Sequence, residues 1–363
     1  MSLPAGRPAA GGLDTPRYPL PAPYAAEVRV RGDGRAGAAT VHALSPRSGE
    51  LTAPALRGAV RAGSVLDLTL PATWLGRLRL TGLVTGVRGE VVVVGFHDRE
   101  SVRRSSAVLV GEVESFRFRE LEAAGVRSRH LDRFLTVATV TGDEPLTEAL
   151  DLRLLANQHF GRLLGLESSE TLADGFDAVS VNLVCRLGRK AVGTGRIVFN
   201  GGDRSLSELE EESGGLPEHL WRDGFVEASR VAVHPCYRGH GVFCALARVI
   251  GAVTLGAGVR YIVMDSIDKL LPLYRRIGAE PLGITKKHQW SDELEHVLAI
   301  DLCRGVGRFD RNALYWQVVF GPVVRDPPPY ARELARRVPL GPAVLGAKSW
   351  LGRLQSQRSR TEF

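Results

Sequence analysis

The chain has 363 residues, 44% hydrophobic and 24% charged, with 47 basic against 40 acidic residues and a net charge of +7; that length suits two ordinary domains with sizeable cores. The basic surplus is modest and comes with no aromatic-basic motif or basic recognition helix, which argues against a nucleic acid polymer as partner. Four cysteines at 185, 236, 244 and 303, without a C-x-x-C pair, indicate reduced thiols in a cytoplasmic protein, not a disulfide framework.

Residues 1–24 are rich in Pro, Ala and Gly and lack the apolar core of a signal peptide, so they are expected to be disordered. Residues 25–115 hold short alternating or apolar segments (26–31, 39–44, 65–70, 78–85, 90–96) separated by Gly, Pro and Ser clusters. That rhythm predicts a small all-β barrel or sandwich. Residues 116–133 are charge-rich with helical spacing and read as a linker helix. From 134 the pattern is mixed: a strand at 134–140, a helix at 146–164, strands at 181–186 and 191–199, and a polar loop at 200–222. A strand at 225–233, a helix at 242–255, a strand at 260–264, a helix at 269–277 and strands near 281–285 and 296–302 complete it. The domain is drawn at 134–338, and 339–363 is set apart as a basic tail. The longest apolar run, 242–263, is broken by Arg248, glycines and Arg260, too interrupted for a membrane span. The tail mixes Leu, Val and Trp350 with Lys348 and Arg353, so contact with a membrane surface is one expectation and packing on the domain the other.

The stretch 226–241 carries the most chemistry. An apolar strand holding Glu227 and Arg230 runs through a Pro-marked turn into Arg238-Gly239-His240-Gly241 and an apolar helix. Backbone N–H groups at a helix start, with an arginine beside them, suit a phosphate group. An acid within an apolar strand is costly unless paired, and its desolvation raises its pKa towards that of a useful base. Glu227 and Arg230 face opposite sides of a regular strand and meet only across a bulge. Without a bulge, Arg230 anchors the loop 200–222 or a substrate carboxylate. His234, Cys236 and His240 lack a fourth ligand nearby, so no metal site is expected.

The β-α-β-β-β-loop-α-β-α-β order over 131–303 resembles the GNAT acyltransferase fold. Arg238 to Gly241 matches much of that fold's R/Q-x-x-G-x-G/A donor loop, and 273–280 is similar to its tyrosine-bearing helix and turn. Phe243 departs from the pattern, and its ring crowds the usual approach of the coenzyme A diphosphate. More narrowly, Glu227-Ala228-Ser229-Arg230 resembles the E-x-S-R strand of acyl-homoserine-lactone synthases and bacterial N-acyl amino acid synthases. The segments 174–180, 192–197, 272–278 and 315–322 are similar to that group as well.

The resemblance implies transfer of a fatty acyl group from an acyl carrier protein thioester, or an acyl-CoA, to an amino acid or related small amine, with no bound cofactor. It implies Glu227, Arg230 and Tyr274 as catalytic residues, Tyr274 protonating the leaving thiol. Arg238, Gly239, Gly241 and Phe243 fall on the acyl donor, and Asp174, Asp177 and Arg196 near the acceptor. An acetyl-CoA-dependent N-acetyltransferase and a catalytically silent nucleotide sensor are the alternatives. The sensor reading comes from residues 25–97, which resemble a PilZ domain. Arg31 and Arg35 reproduce its R-x-x-x-R spacing, and Ser45 stands where its second motif has a serine, although the preceding acid or amide is missing. That resemblance implies cyclic di-GMP as an effector.

Overall fold

Residues that alternate between interior and surface build the first six strands. The structure, a computed structural model, describes residues 17–73, 76–113, 135–140, 143–239, 241–288, 291–308 and 313–361. The chain divides into two units, Met1–Leu135 with Leu187–Lys190, and Thr136–Arg186 with Ala191–Phe363. In the first, β1 (Tyr18–Val30), β2 (Ala36–Ser45), β3 (Ser48–Thr52), β4 (Val65–Thr73), β5 (Gly76–Arg88) and β6 (Val91–Gly95) form a closed barrel in the order β1-β2-β3-β6-β5-β4. All its pairings are antiparallel. Every second residue points inward, so Val28, Val41, Leu51, Leu66, Leu68 and Leu80 fill it.

Two expectations for this unit need correction. Strand β1 begins at Tyr18, inside the segment expected to be disordered; its prolines sit beside the irregularity between Pro19 and Tyr24, where a missing N–H does least harm. The unit is also not purely β, because α1 (Arg99–Glu112) follows the barrel. Asp98 caps it by accepting from the Ser101 amide, and Ser101 Oγ in turn accepts from the Thr81 amide at 2.8 Å. The expected linker helix at 116–133 lies outside the described residues.

In the second unit a mixed α/β sheet of seven strands runs in the order β12-β13-β11-β10-β9-β8-β7. Its strands are β7 (Leu135–Thr139), β8 (Ser180–Leu187), β9 (Lys190–Val198), β10 (Phe225–Val233), β11 (Tyr261–Ile267), β12 (Ala279–Lys287) and β13 (Leu294–Asp301). The helices are α2 (Asp143–His159), α3 (Gly175–Ala178), α4 (Glu208–Ser213), α5 (Glu218–Asp223), α6 (Val242–Ala257), α7 (Leu271–Arg276), α8 (Leu302–Gly307), α9 (Ala313–Val324), α10 (Pro329–Arg336) and α11 (Gly341–Thr361). This is the mixed α/β sheet with helices expected from the order of elements.

The two faces of the sheet differ. Phe225, Tyr261, Val263, Val297 and Ala299 pack with Leu209, Leu216 and Leu220 from the α4–α5 region. The alternate residues turn towards α6, whose Val242, Leu246 and Ile250 recur at one-turn spacing and are buried. Gly193 permits the close approach of α6 to β9, since a Cβ there would lie 2.5 Å from Val242 Cγ1. The segment set apart as a basic tail is α11, and it packs: Leu345 and Lys348 are buried, Gln317 donates to the Lys348 carbonyl, and Ser349 to that of Arg325. Among the described residues no helix is long and apolar enough to cross a membrane.

Candidate active site

The parallel strands β10 and β11 pair only over Phe225–Glu227 and Tyr261–Val263. Beyond that point they separate. On its other edge, β10 shifts register against β9 between Ser229 and Ala232, and Arg230 sits there at φ +53°. This is a bulge, which bends the strand and increases its twist. A non-glycine residue in the left-handed region costs about 1–2 kcal/mol, so the surrounding contacts hold it there. Arg230 Nη2 donates to Asp174 Oδ2 at 3.0 Å and to Glu208 Oε1 at 2.5 Å.

The gap between the strands opens into a cavity of about 560 Å³, of a size to hold a small ligand. On the α6 side its walls are apolar, formed by Phe243, Leu246, Ile250, Ile262, Met264 and Phe320. Residues 228–233 of β10 and Asp265, Ser266 and Ile267 of β11 line the gap itself. On the α4 side the walls are charged: Glu208, Glu212, Arg230, Lys286, His288 and Glu295. Alternation explains the contrast. Asp265 shares the face of Val263, and Glu295 that of Val297, whereas Ile262 and Met264 point the other way.

Two ion-pair networks support the charged side. In one, Arg196 is fully buried on β9 and pairs with Asp174, Asp177 and Glu208, while Arg153 binds Asp177 at 3.0 Å and Asn182 at 2.8 Å. Burial works against the Asp174 anion, but the Arg196 and Arg230 guanidiniums together hold its pKa below the ordinary range. In the other, Lys286 Nζ donates to Glu212 at 2.5 Å, Asp265 at 2.7 Å and Glu295 at 2.9 Å. Burial and the neighbouring Arg162 guanidinium push His288 down to about 4, so it is neutral at pH 7.

Several residues singled out in the sequence line the cavity: Arg230, Arg238, Gly239, Phe243 and Tyr274. Arg238 stacks on the Phe160 ring, 3.8 Å from its centroid. Gly239 takes φ +76°, a conformation glycine adopts without strain. Tyr274 meets Phe243 edge-to-face with ring centroids 5.7 Å apart. Burial, with Asp265 and Glu295 nearby, raises its pKa and keeps the hydroxyl protonated.

Others do not reach the cavity. Asp174, Asp177 and Arg196 stand behind its wall, and their partners are one another, Arg153, Arg230 and Glu208. Gly241 caps α6 without lining the cavity, and His240 lies outside the described residues. Glu227 precedes the lining by one residue. Its carboxylate points to the start of α4, accepting from Ser207 Oγ and, at 3.2 Å, from the Leu209 amide. It is wholly enclosed, and burial pushes its pKa up to about 7. A carboxylate so placed holds α4 against the sheet and does not line the cavity.

The three nucleotide candidates of the barrel do not come together. Arg31 and Arg35 sit at the turn joining β1 to β2, where Arg31 is engaged by Asp67 and Thr81 and Arg35 by Asp33. Ser45 is at the far end of β2, roughly 30 Å away along a strand of ten residues. It is fully buried, with its hydroxyl 2.7 Å from that of Ser48.

Asp265, Lys286, His288 and Glu295 were not singled out in the sequence, though three carry the signal that exposed Glu227: a charge at an inward position of a strand. Phe160 and Arg162, just beyond α2, gave no local signal.

No family model and no curated protein matches the chain. Solved structures similar to it include FeeM, an N-acyl amino acid synthase from uncultured soil microbes, at 12% identity over 56% of this chain and 98% of that one, with a TM-score of 0.38. BjaI, a CoA-dependent acyl-homoserine lactone synthase solved with SAM and isopentyl-CoA, is 17% identical over 56% of this chain and 100% of that one, with a TM-score of 0.36. Escherichia coli ElaA is 15% identical over 46% of this chain and 99% of that one, with a TM-score of 0.34.

Proposed function

We propose that the chain is an N-acyltransferase that moves a fatty acyl group from a thioester donor, an acyl carrier protein first among them, to the amine of an amino acid or related small molecule. The observation that carries this reading is the two-sided cavity, apolar towards α6 and charged towards α4, with its sides joined where β10 and β11 part. The apolar side suits an alkyl chain. The charged side suits a polar amine. A thioester bridging the two places its carbonyl in the gap, beside the backbone of residues 228–233.

Arg238 suits the phosphate of the phosphopantetheine arm, because it lines the cavity and no carboxylate among the described residues pairs with it. The amine nitrogen attacks the thioester carbon, the C–N bond forms and the C–S bond breaks. Tyr274, kept protonated by its surroundings, supplies the proton that the departing sulfur needs. Arg230 and Glu208 shape the acceptor wall, supported from behind by Arg196, Asp174 and Asp177. Glu227 positions α4.

The test is direct. Purified protein is incubated with decanoyl thioesters of acyl carrier protein and of coenzyme A, together with a mixture of amino acids and amines, and the products are read by mass spectrometry. N-decanoyl products that depend on the enzyme support the reading. Transfer of acetyl but not decanoyl groups would overturn the donor assignment, and no transfer to any amine would overturn the reaction.

A further inference from the structure

An amine at neutral pH is an ammonium ion, and it must lose a proton before its nitrogen can attack. Glu227 does not reach the cavity, so the reaction above lacks a proton acceptor. The carboxylates on the acceptor side are unequal candidates. Both oxygens of Glu208 are held by arginines, Oε1 by Arg230 and Oε2 by Arg196. Asp174 and Asp177 lie behind the wall. Glu212, Asp265 and Glu295 each give one oxygen to Lys286 and leave the other without a hydrogen bond among the described residues. Glu295 is the most enclosed of the three, with its side chain 11% exposed against 27% for the other two, and its free oxygen is Oε1. His288 Nε2 stands 3.8 Å from Oε1, beyond hydrogen-bond reach. The residue is only 8% exposed and it lines the cavity.

We propose that Glu295 is the proton acceptor of the reaction, its Oε1 open to the acceptor ammonium and its Oε2 fixed by Lys286. The inference rests on the N-acyltransferase reading and deepens it. In the step, an N–H bond of the ammonium breaks, the proton passes to Oε1, and the nitrogen lone pair that remains forms the C–N bond. The second nitrogen proton leaves as the tetrahedral intermediate collapses, and the sulfur is protonated through Tyr274. The proton on Glu295 returns to solvent, which balances an ammonium and a thioester against an amide, a thiol and one proton.

The groups around Glu295 are Asp265 on β11, Lys286 and His288 on and after β12, Glu212 on α4, Tyr274 on α7, and, behind His288, Arg162 just beyond α2, whose guanidinium lies 3.1 Å from His288 Nε2. Burial and the Asp265 and Glu212 carboxylates raise its pKa, and Lys286 opposes them. A proton taken at Glu295 thus relieves the excess of negative charge around one lysine. Activity that depends on the ionised form is present above the raised pKa and is lost as pH falls through it.

The experiment compares two acceptors with a decanoyl-pantetheine donor: leucine, an ammonium at neutral pH, and O-methylhydroxylamine, whose nitrogen is already neutral there. Glu295→Gln should lower kcat/KM for leucine by at least about a hundredfold, in the range of lost general-base catalysis, and by far less for O-methylhydroxylamine. Equal losses with both acceptors would overturn the assignment, since a structural role does not distinguish them; so would an unchanged leucine rate. Should the variant fail to fold, Glu295→Asp, which keeps a carboxylate, takes its place: a loss confined to leucine supports Glu295, and equal losses with both acceptors sink it. Transfer to neither acceptor by the wild type would instead refute the acyltransferase reading.

Discussion

Glu227 shows how a charge can be legible in a sequence while its purpose is not. An acid within an apolar strand marks a special position, and the position is special: the carboxyl is enclosed, bonded to Ser207 and the Leu209 amide, with its pKa pushed from 4.5 up to about 7. What the sequence could not show is the direction in which it points. The folded protein holds this proton more tightly than the unfolded chain does. Its stabilising contribution is therefore complete below pH 4.5 and is lost as pH rises through about 7, a loss on the order of 3 kcal/mol. Glu227→Gln cannot ionise, so its melting temperature should fall less between pH 5 and pH 8 than that of the wild type, and scanning calorimetry across that range checks this. Its kcat should change less than about tenfold, short of the loss that follows removal of a general base. A larger loss with an unchanged melting curve would return Glu227 to the chemistry.

At the scale of elements, periodicity and turn residues revealed most strands and helices of both units, and they missed what depends on long-range contact. Helix α1 was read as part of an all-β region because its serines disguise a buried face; Ser105 is inside and bonds the Pro46 carbonyl. The bulge at Arg230 has no local signature, since arginine does not favour φ +53°; it exists because Asp174 and Glu208 hold the guanidinium from another element. The contact of α6 with β9 was equally invisible, though it rests on one glycine. Gly193→Ala should push α6 off the sheet, since the new Cβ would meet Val242 at 2.5 Å and Leu246 at 3.3 Å. A cost of about 1–3 kcal/mol, typical of overpacking, should appear as a lower urea midpoint with an unchanged slope.

For the whole molecule, the division into barrel and mixed sheet was readable from the change in pattern, and the arrangement of the cavity was not, because its walls come from segments as distant as Phe160 and Phe320. Cations gather at one wall of it: Arg238 stacks on Phe160, with Arg162 and Lys269 about 6 Å from the same ring. Arg238→Ala should raise KM for decanoyl thioesters of carrier protein and coenzyme A and leave a phosphate-free N-acetylcysteamine thioester little affected. The difference between donors should shrink as salt rises, because exposed charge pairs are screened. Equal effects on all three donors would deny Arg238 a phosphate. In the first unit, calorimetry with cyclic di-GMP at micromolar protein should register no binding, because Arg31 is already engaged and the Ser45 hydroxyl is buried against that of Ser48.

The parting of β10 from β11 also has a kinetic consequence. If the alkyl chain lies on one face of the sheet and the amine on the other, neither reactant stands in the other's way. Either can bind first, and the acyl group need not be parked on the enzyme while one leaves and the other arrives. Initial rates measured over a grid of both concentrations should therefore give reciprocal plots that intersect, the mark of a ternary complex, and not the parallel lines of a double displacement.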